Sequence, residues 1–145
     1  MMQLLDSVLM RLFMLMASII LFFTPNALEK AELRVTNEVT TQTAELHIEM
    51  KNGFGTEILT GETILLEKRE NDEWVTVEQN GRYPGFPEIG IILYPLQTHS
   101  QTVNIINVYG NYLSEGEYRV TKEYDKVGVA DIQTCSVIFS VRSAE

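Results

Sequence analysis

From Ala31 onward the apolar residues recur at every second position. In TAELHIEM, Ala44, Leu46, Ile48 and Met50 alternate with Thr43, Glu45, His47 and Glu49. All eight positions fit a strand with one face in a core. ELRVT (Leu33, Val35) and TCSVIFSVR (Cys135, Val137, Phe139, Val141) keep the same period. ETILLEKR (Glu62–Arg69) and EWVTVE (Glu73–Glu78) flank the polar tip Glu70-Asn71-Asp72 and predict a hairpin. EIGIILY (Glu88–Tyr94) and QTVNIINV (Gln101–Val108) are apolar at both parities, which predicts more centrally buried strands without fixing their register. EYRVTKEY places Lys122 on its inward parity, where a lysine must snorkel to an edge or mark a bulge.

Glycine, proline and asparagine fall between these runs, at Asn52-Gly53, Thr60-Gly61, Asn80-Gly81, Pro84-Gly85, Pro95 and Gly128. Eight strands spaced by turns over about 115 residues predict an all-β fold, an antiparallel sandwich or barrel. There is no internal repeat. The corner YGNYLSEGEYRV selects the immunoglobulin-like β-sandwich. In it Gly116 precedes Tyr118 by two residues and Val120 follows by two, the spacing of a tyrosine corner. There the phenol ring is buried and its hydroxyl bonds backbone just upstream. Tyr109, Gly110, Leu113, Gly116 and Tyr118 are therefore expected to be structural.

Ahead of this pattern, LFMLMASIILFF (Leu12–Phe23) is an uncharged run of twelve residues behind Arg11. That suits the apolar core of a secretory signal better than a membrane span of about 20 residues. Residues 1–27 are expected to be a signal peptide cleaved after Ala27, or else an uncleaved anchor through residues 8–23. Asp6 is out of place in a basic leader and Met10 offers an alternative start. Either reading puts residues 29–142, one sandwich domain, outside the cytoplasm, secreted or membrane-anchored.

Charge narrows the partners. Twenty acidic side chains against eleven basic give a net charge of -9, without a basic run. Nucleic acid and anionic lipid headgroups are disfavoured, because both are bound by lysine and arginine. The single cysteine, Cys135, permits no intrachain disulfide and is expected to act as a small buried hydrophobe.

Catalytic patterns fail one by one. His99 and Ser100 are adjacent on a strand and so face opposite ways. His47 and His99 have no companions at zinc-ligand spacing. The acidic tip Glu70–Glu73 lacks the spaced oxygens and glycine of a calcium loop. Neither catalytic residues, nor a metal, nor a cofactor is expected. One loop, QNGRYPGFPE (Gln79–Glu88), joins Arg82, Tyr83 and Phe86 to two prolines, a composition suited to recognition. The bland alternative is that Tyr83 and Phe86 fold back to cap the sandwich.

NGFGTEILTGETILLEKRENDEWVTVE, then YGNYLSEGEYRVTKEY and a closing SVIFSV, resembles the bacterial immunoglobulin-like domain of small exported Gram-positive proteins. The resemblance rests on Asn52, Gly61-Glu62, Leu66-Glu67-Lys68, Trp74, Tyr109-Gly110, Leu113 and Gly116 through Arg119. It implies the sandwich fold, with Trp74 in the core or packed between strands. Members are often lipoproteins, whereas no cysteine stands behind the apolar run here. The function expected is non-enzymatic binding at the cell envelope, with a protein partner or, as the alternative, a glycan. A secreted proteinase inhibitor presenting Arg82 is the rival reading, and an enzyme a distant third.

Overall fold

The computed structural model describes residues 29–145, so the signal, anchor and start-site expectations lie outside the described residues. The described residues form ten strands and one short helix. In order these are β1 (Ala31–Val35), β2 (Val39–Thr40), β3 (Glu45–Asn52), β4 (Ile58–Gly61), β5 (Leu65–Glu70) and β6 (Glu73–Thr76). They continue with β7 (Gly90–Leu93), β8 (Thr98–Asn104), α1 (Ile105–Tyr109), β9 (Gly116–Lys126) and β10 (Gln133–Arg142). One sheet has the order β1-β3-β8 and the other β2-β10-β9-β4-β7, with the β5–β6 hairpin also joined to β9. The chain changes sheets early. β1 pairs antiparallel with β3, whereas β2 pairs with β10 in the described structure's one parallel ladder.

Period-two alternation builds the core as expected for half-buried strands. Leu46, Ile48 and Met50 of β3 join Tyr118, Val120 and Tyr124 of β9 in one buried core cluster, while the polar residues that alternate with them in β3 stay outside. Tyr118 stacks on Phe139 at 5.7 Å between ring centres. The predicted hairpin turns at Asn71 and Asp72, both with positive φ (49° and 64°), as a two-residue connection requires.

Three expectations are corrected. The strands number ten among the described residues, because the two-residue β2 and the β4 segment ILTG carry too little pattern to be read. Glu88–Tyr94 is not a central strand: β7 lies at the end of its sheet, Leu93 is buried, and Ile89 and Ile92 are more than half exposed. Gln101–Val108 is not one strand either, because the chain leaves β8 and turns into α1. Asn104 caps that turn, its side chain accepting from the Asn107 N–H at 2.9 Å, and Gly110 ends it in the left-handed conformation.

The centre of β9 carries an irregularity that organises the interior. Thr60 pairs with Tyr124 and Leu65 with Thr121, so five steps along β4–β5 answer three along β9. Two extra residues are accommodated between Gly61 and Ile64, a bulge that tucks Ile64 into the core. Lys122 lies opposite it.

Candidate functional site

The corner closes through its hydroxyl. Tyr118, 2% exposed, donates to the Ser114 carbonyl at 2.8 Å. Lys68 Nζ donates to Ser114 Oγ at 2.7 Å, which leaves Ser114 Oγ to donate to the Tyr118 oxygen at 3.2 Å. Gly116 opens β9 at φ 150°, with the Lys68 stem 2.9 Å from where a Cβ would stand. Leu113 is buried beside it. Tyr109 ends α1 with its ring in the core, and its buried hydroxyl makes no hydrogen bond within the described residues. Burial pushes the Tyr109 phenol well above the usual tyrosine range.

The loop Gln79–Glu88 divides its aromatic residues between core and solvent. Gly81 N–H donates to the Val108 carbonyl at 2.9 Å and Tyr83 N–H to the Asn107 carbonyl at 2.8 Å, which pins the loop on α1. The approach is so close that a Cβ on Gly81 would stand 2.0 Å from the Asn107 oxygen. From the helix side Gly110, at φ +91°, makes room for the Asn80 carbonyl, whose oxygen would stand 2.9 Å from a Cβ there. Phe86 packs against the core, as the capping alternative requires. Tyr83 does not: it is 60% exposed, with the Arg82 guanidinium 5.4 Å from its ring centre. The structure thus brings Arg82 and Tyr83 together on the surface and packs Phe86 against the core.

Lys122 neither snorkels nor reaches solvent. It is 1% exposed, and its Nζ donates to the Gly61 carbonyl at 2.6 Å and to Gln101 Oε1 at 2.7 Å. Gln101 Nε2 in turn donates to the Glu62 carbonyl at 2.5 Å, while the Glu62 carboxylate meets His99 Nε2 at 2.9 Å. The bulge frees the Gly61 and Glu62 carbonyls, and Lys122 and Gln101 take them up from opposite sheets. Burial lowers the Lys122 pKa, opposed by the nearby Glu62 carboxylate and Cys135 thiol. Sequence reasoning flagged Lys122 by parity but had no signal for Gln101, which belongs to a distant strand.

Cys135 is paired directly across from Lys122, so a basic neighbour exists that the linear sequence hides. It does not activate the thiol. Burial pushes the Cys135 pKa from 9.0 up to about 11, with Lys122 pulling weakly the other way. His99 and Ser100 go to different carboxylates, Glu62 and Glu49, and form no relay. Among the described residues no group of three or more His, Cys, Asp or Glu side chains is placed to hold a metal ion.

Trp74 is inter-strand packing rather than core. It lies half-buried on the outer face of β6, with the Arg119 guanidinium 4.6 Å and that of Arg69 5.9 Å from its ring centre. Arg119 also bonds Glu67 through Nε at 2.7 Å and Nη2 at 2.6 Å, and Arg69 bonds Glu117 at 3.0 Å. Asn52 is a second concealed hub. Fully buried, it donates to the Thr56 and Leu93 carbonyls and accepts from Phe54 N–H, tying the β3–β4 loop to the end of β7.

Two sheets packed face to face, a sheet-switching first strand and a tyrosine corner define an immunoglobulin-type sandwich. The chain belongs to the family described as Bacterial Ig-like domain, whose model matches residues 27–136. A comparison with curated protein sequences found no match. Among solved structures, the ASH / PapD-like domain of human CEP192 (PapD-like domain 7) superposes with a TM-score of 0.40 at 15% identity. The superposition covers 85% of this chain and 91% of that one.

Proposed function

We propose that the domain is a non-enzymatic interaction module working outside the cytoplasm, and that it meets a protein partner through Arg82 and Tyr83. The observation carrying this reading is the loop's construction. Two main-chain bonds to α1 and the half-buried Phe86, packed against the core, hold it, while an arginine and a tyrosine stand exposed in contact with each other. A fixed loop loses little entropy on binding, and these two residue types dominate interface energetics. The apolar run ahead of the domain and the acidic charge support export and argue against nucleic acid. A photo-crosslinking residue at position 83, compared with one at position 49 on the opposite sheet, tests the surface in intact cells. A partner captured from position 83 alone and lost on Arg82→Ala fits the proposal. Equal capture from both positions overturns it. The intact mass of the protein from membrane and medium fractions tests export, a species starting near Leu28 marking a cleaved signal.

A second reading, the proteinase inhibitor, rests on Arg82 standing between the two anchored residues Gly81 and Tyr83. Titration of trypsin-like proteases decides it: inhibition that vanishes in Arg82→Ala replaces the first reading, and no inhibition removes the second.

A further inference from the structure

The outer face of the larger sheet holds a groove of about 610 Å³ whose walls are aliphatic. Leu59 is 44%, Leu65 43% and Ile132 60% exposed, and Ile92, cross-strand from Leu59, is 52% exposed. Thr121 lies in the groove, its hydroxyl spent on Ser136 at 2.7 Å. Glu123 and Asp125 also line it, exposed, and neither enters an ion pair among the described residues. Asp125 is paired across from Leu59, which sets a carboxylate beside an apolar wall. Elsewhere on the same face carboxylates are matched: Glu67 by Arg119 and Glu117 by Arg69. The sheet therefore neutralises its charge at one end and leaves both apolar area and negative charge open at the other.

We propose that this groove binds a peptide segment that carries apolar side chains and lysine or arginine on one face. Apolar walls with a few convergent polar groups are the usual make-up of a binding cleft. The charge decides among occupants. A second copy of the chain would set the same carboxylates against each other, and an anionic lipid surface would be repelled by them. A peptide segment that turns apolar and basic side chains to the same face supplies what both features lack, burying Leu59, Leu65 and Ile132 and pairing Glu123 and Asp125. The site is distinct from Arg82 and Tyr83 and stands or falls without them; Gln79 alone belongs to both the loop and the groove lining.

The test uses three fluorescent octapeptides with serine at every second position, the positions between holding lysine and leucine, glutamate and leucine, or lysine alone, against the domain of residues 29–145. Binding is read by anisotropy and located by backbone amide shifts. The lysine–leucine peptide should bind and shift signals at Leu59, Leu65, Glu123 and Asp125. Glu123→Gln with Asp125→Asn should weaken it roughly tenfold, two exposed charge pairs being lost. Leu59→Ser should weaken it with the charges intact. Both variants are exposed changes whose fold is checked by the same amide spectra. Equal binding of the glutamate–leucine peptide would remove the charge argument, and equal binding of lysine–serine would reduce the site to an acidic surface. Shifts confined to Arg82 and Tyr83, self-association of the domain, or no binding at all would each overturn the proposal.

Discussion

The Lys122 ammonium on β9 donates to the Gln101 side chain on β8 at 2.7 Å, so a hydrogen bond joins the two sheets through the core. A buried amine without its acceptors is costly, whereas a buried pair replaced together by apolar side chains can be nearly neutral. Gln101→Leu should cost about 2–3 kcal/mol, since it strips one acceptor from Lys122 and the donor to Glu62. Adding Lys122→Met to Gln101→Leu should cost clearly less than the two single changes summed. Urea unfolding of the four proteins closes the cycle, and additivity to within about 0.5 kcal/mol would show the bond to carry no coupling.

Tyr109 and Tyr118 should respond differently to the same substitution, only Tyr118 losing stability. Tyr118→Phe leaves the Ser114 carbonyl without its donor and should cost about 1–2 kcal/mol. Tyr109→Phe removes a buried hydroxyl that has no partner and should be neutral or stabilising by up to about 1 kcal/mol. Thermal and urea denaturation of both variants check the pair. A large loss in Tyr109→Phe would mean its hydroxyl is satisfied in solution.

The fold was legible because β3, β9 and β10 alternate cleanly over eight to eleven residues. It blurred where two signals overlap. β7 is apolar at both parities because Leu93 faces the core while Ile92 adjoins the outer groove, which imitates a central strand. Asn104 and Gly110 do mark the ends of α1, but five residues are too few for a helical period to show. Of the candidate loop, its position and residue types could be read, but not the division that packs Phe86 against the core and exposes Tyr83. That division follows from contacts with α1, which lies beyond β7 and β8 in the chain, and with the core. The Lys122–Gln101 link and the outer groove join strands distant in sequence, and only the register brings them together.

Gly81 should be nearly irreplaceable, and Gly85, four residues on, should not be. A Cβ at Gly81 meets the Asn107 carbonyl carbon and oxygen at 2.4 and 2.0 Å, both backbone atoms that cannot step aside. Gly81→Ala should therefore lift the loop from α1, with a loss of about 3 kcal/mol or more. At Gly85 nothing stands within 4 Å, and only the positive φ of 91° opposes a side chain. Gly85→Ala should cost about 1 kcal/mol. Hydrogen exchange at the Tyr83 amide distinguishes the cases, since it is bonded to the Asn107 carbonyl in the intact loop. Fast exchange in Gly85→Ala as well would mean the loop is held less firmly than its contacts imply.

Cys135 should be an unreactive thiol whose ionisation opposes folding in alkali. Its folded pKa of about 11 stands above the unfolded 9.0, so the fold favours the protonated form. That contribution is whole below pH 9.0 and is lost as pH climbs from 9.0 to about 11. Lys122 acts in the opposite sense. Its folded pKa lies below the ordinary 10.5, so deprotonation of the unfolded chain's lysine as pH rises toward 10.5 restores stability. The two partly cancel in the native protein, and Cys135→Ala leaves the lysine's share alone. Stability measured by urea unfolding from pH 8 to 11 should fall less in Cys135→Ala than in the unaltered chain. Alkylation by iodoacetamide gives the direct reading, with a midpoint near pH 9 in urea and near 11 in the folded protein. A folded midpoint equal to that in urea would place the thiol in solvent and remove burial as the cause.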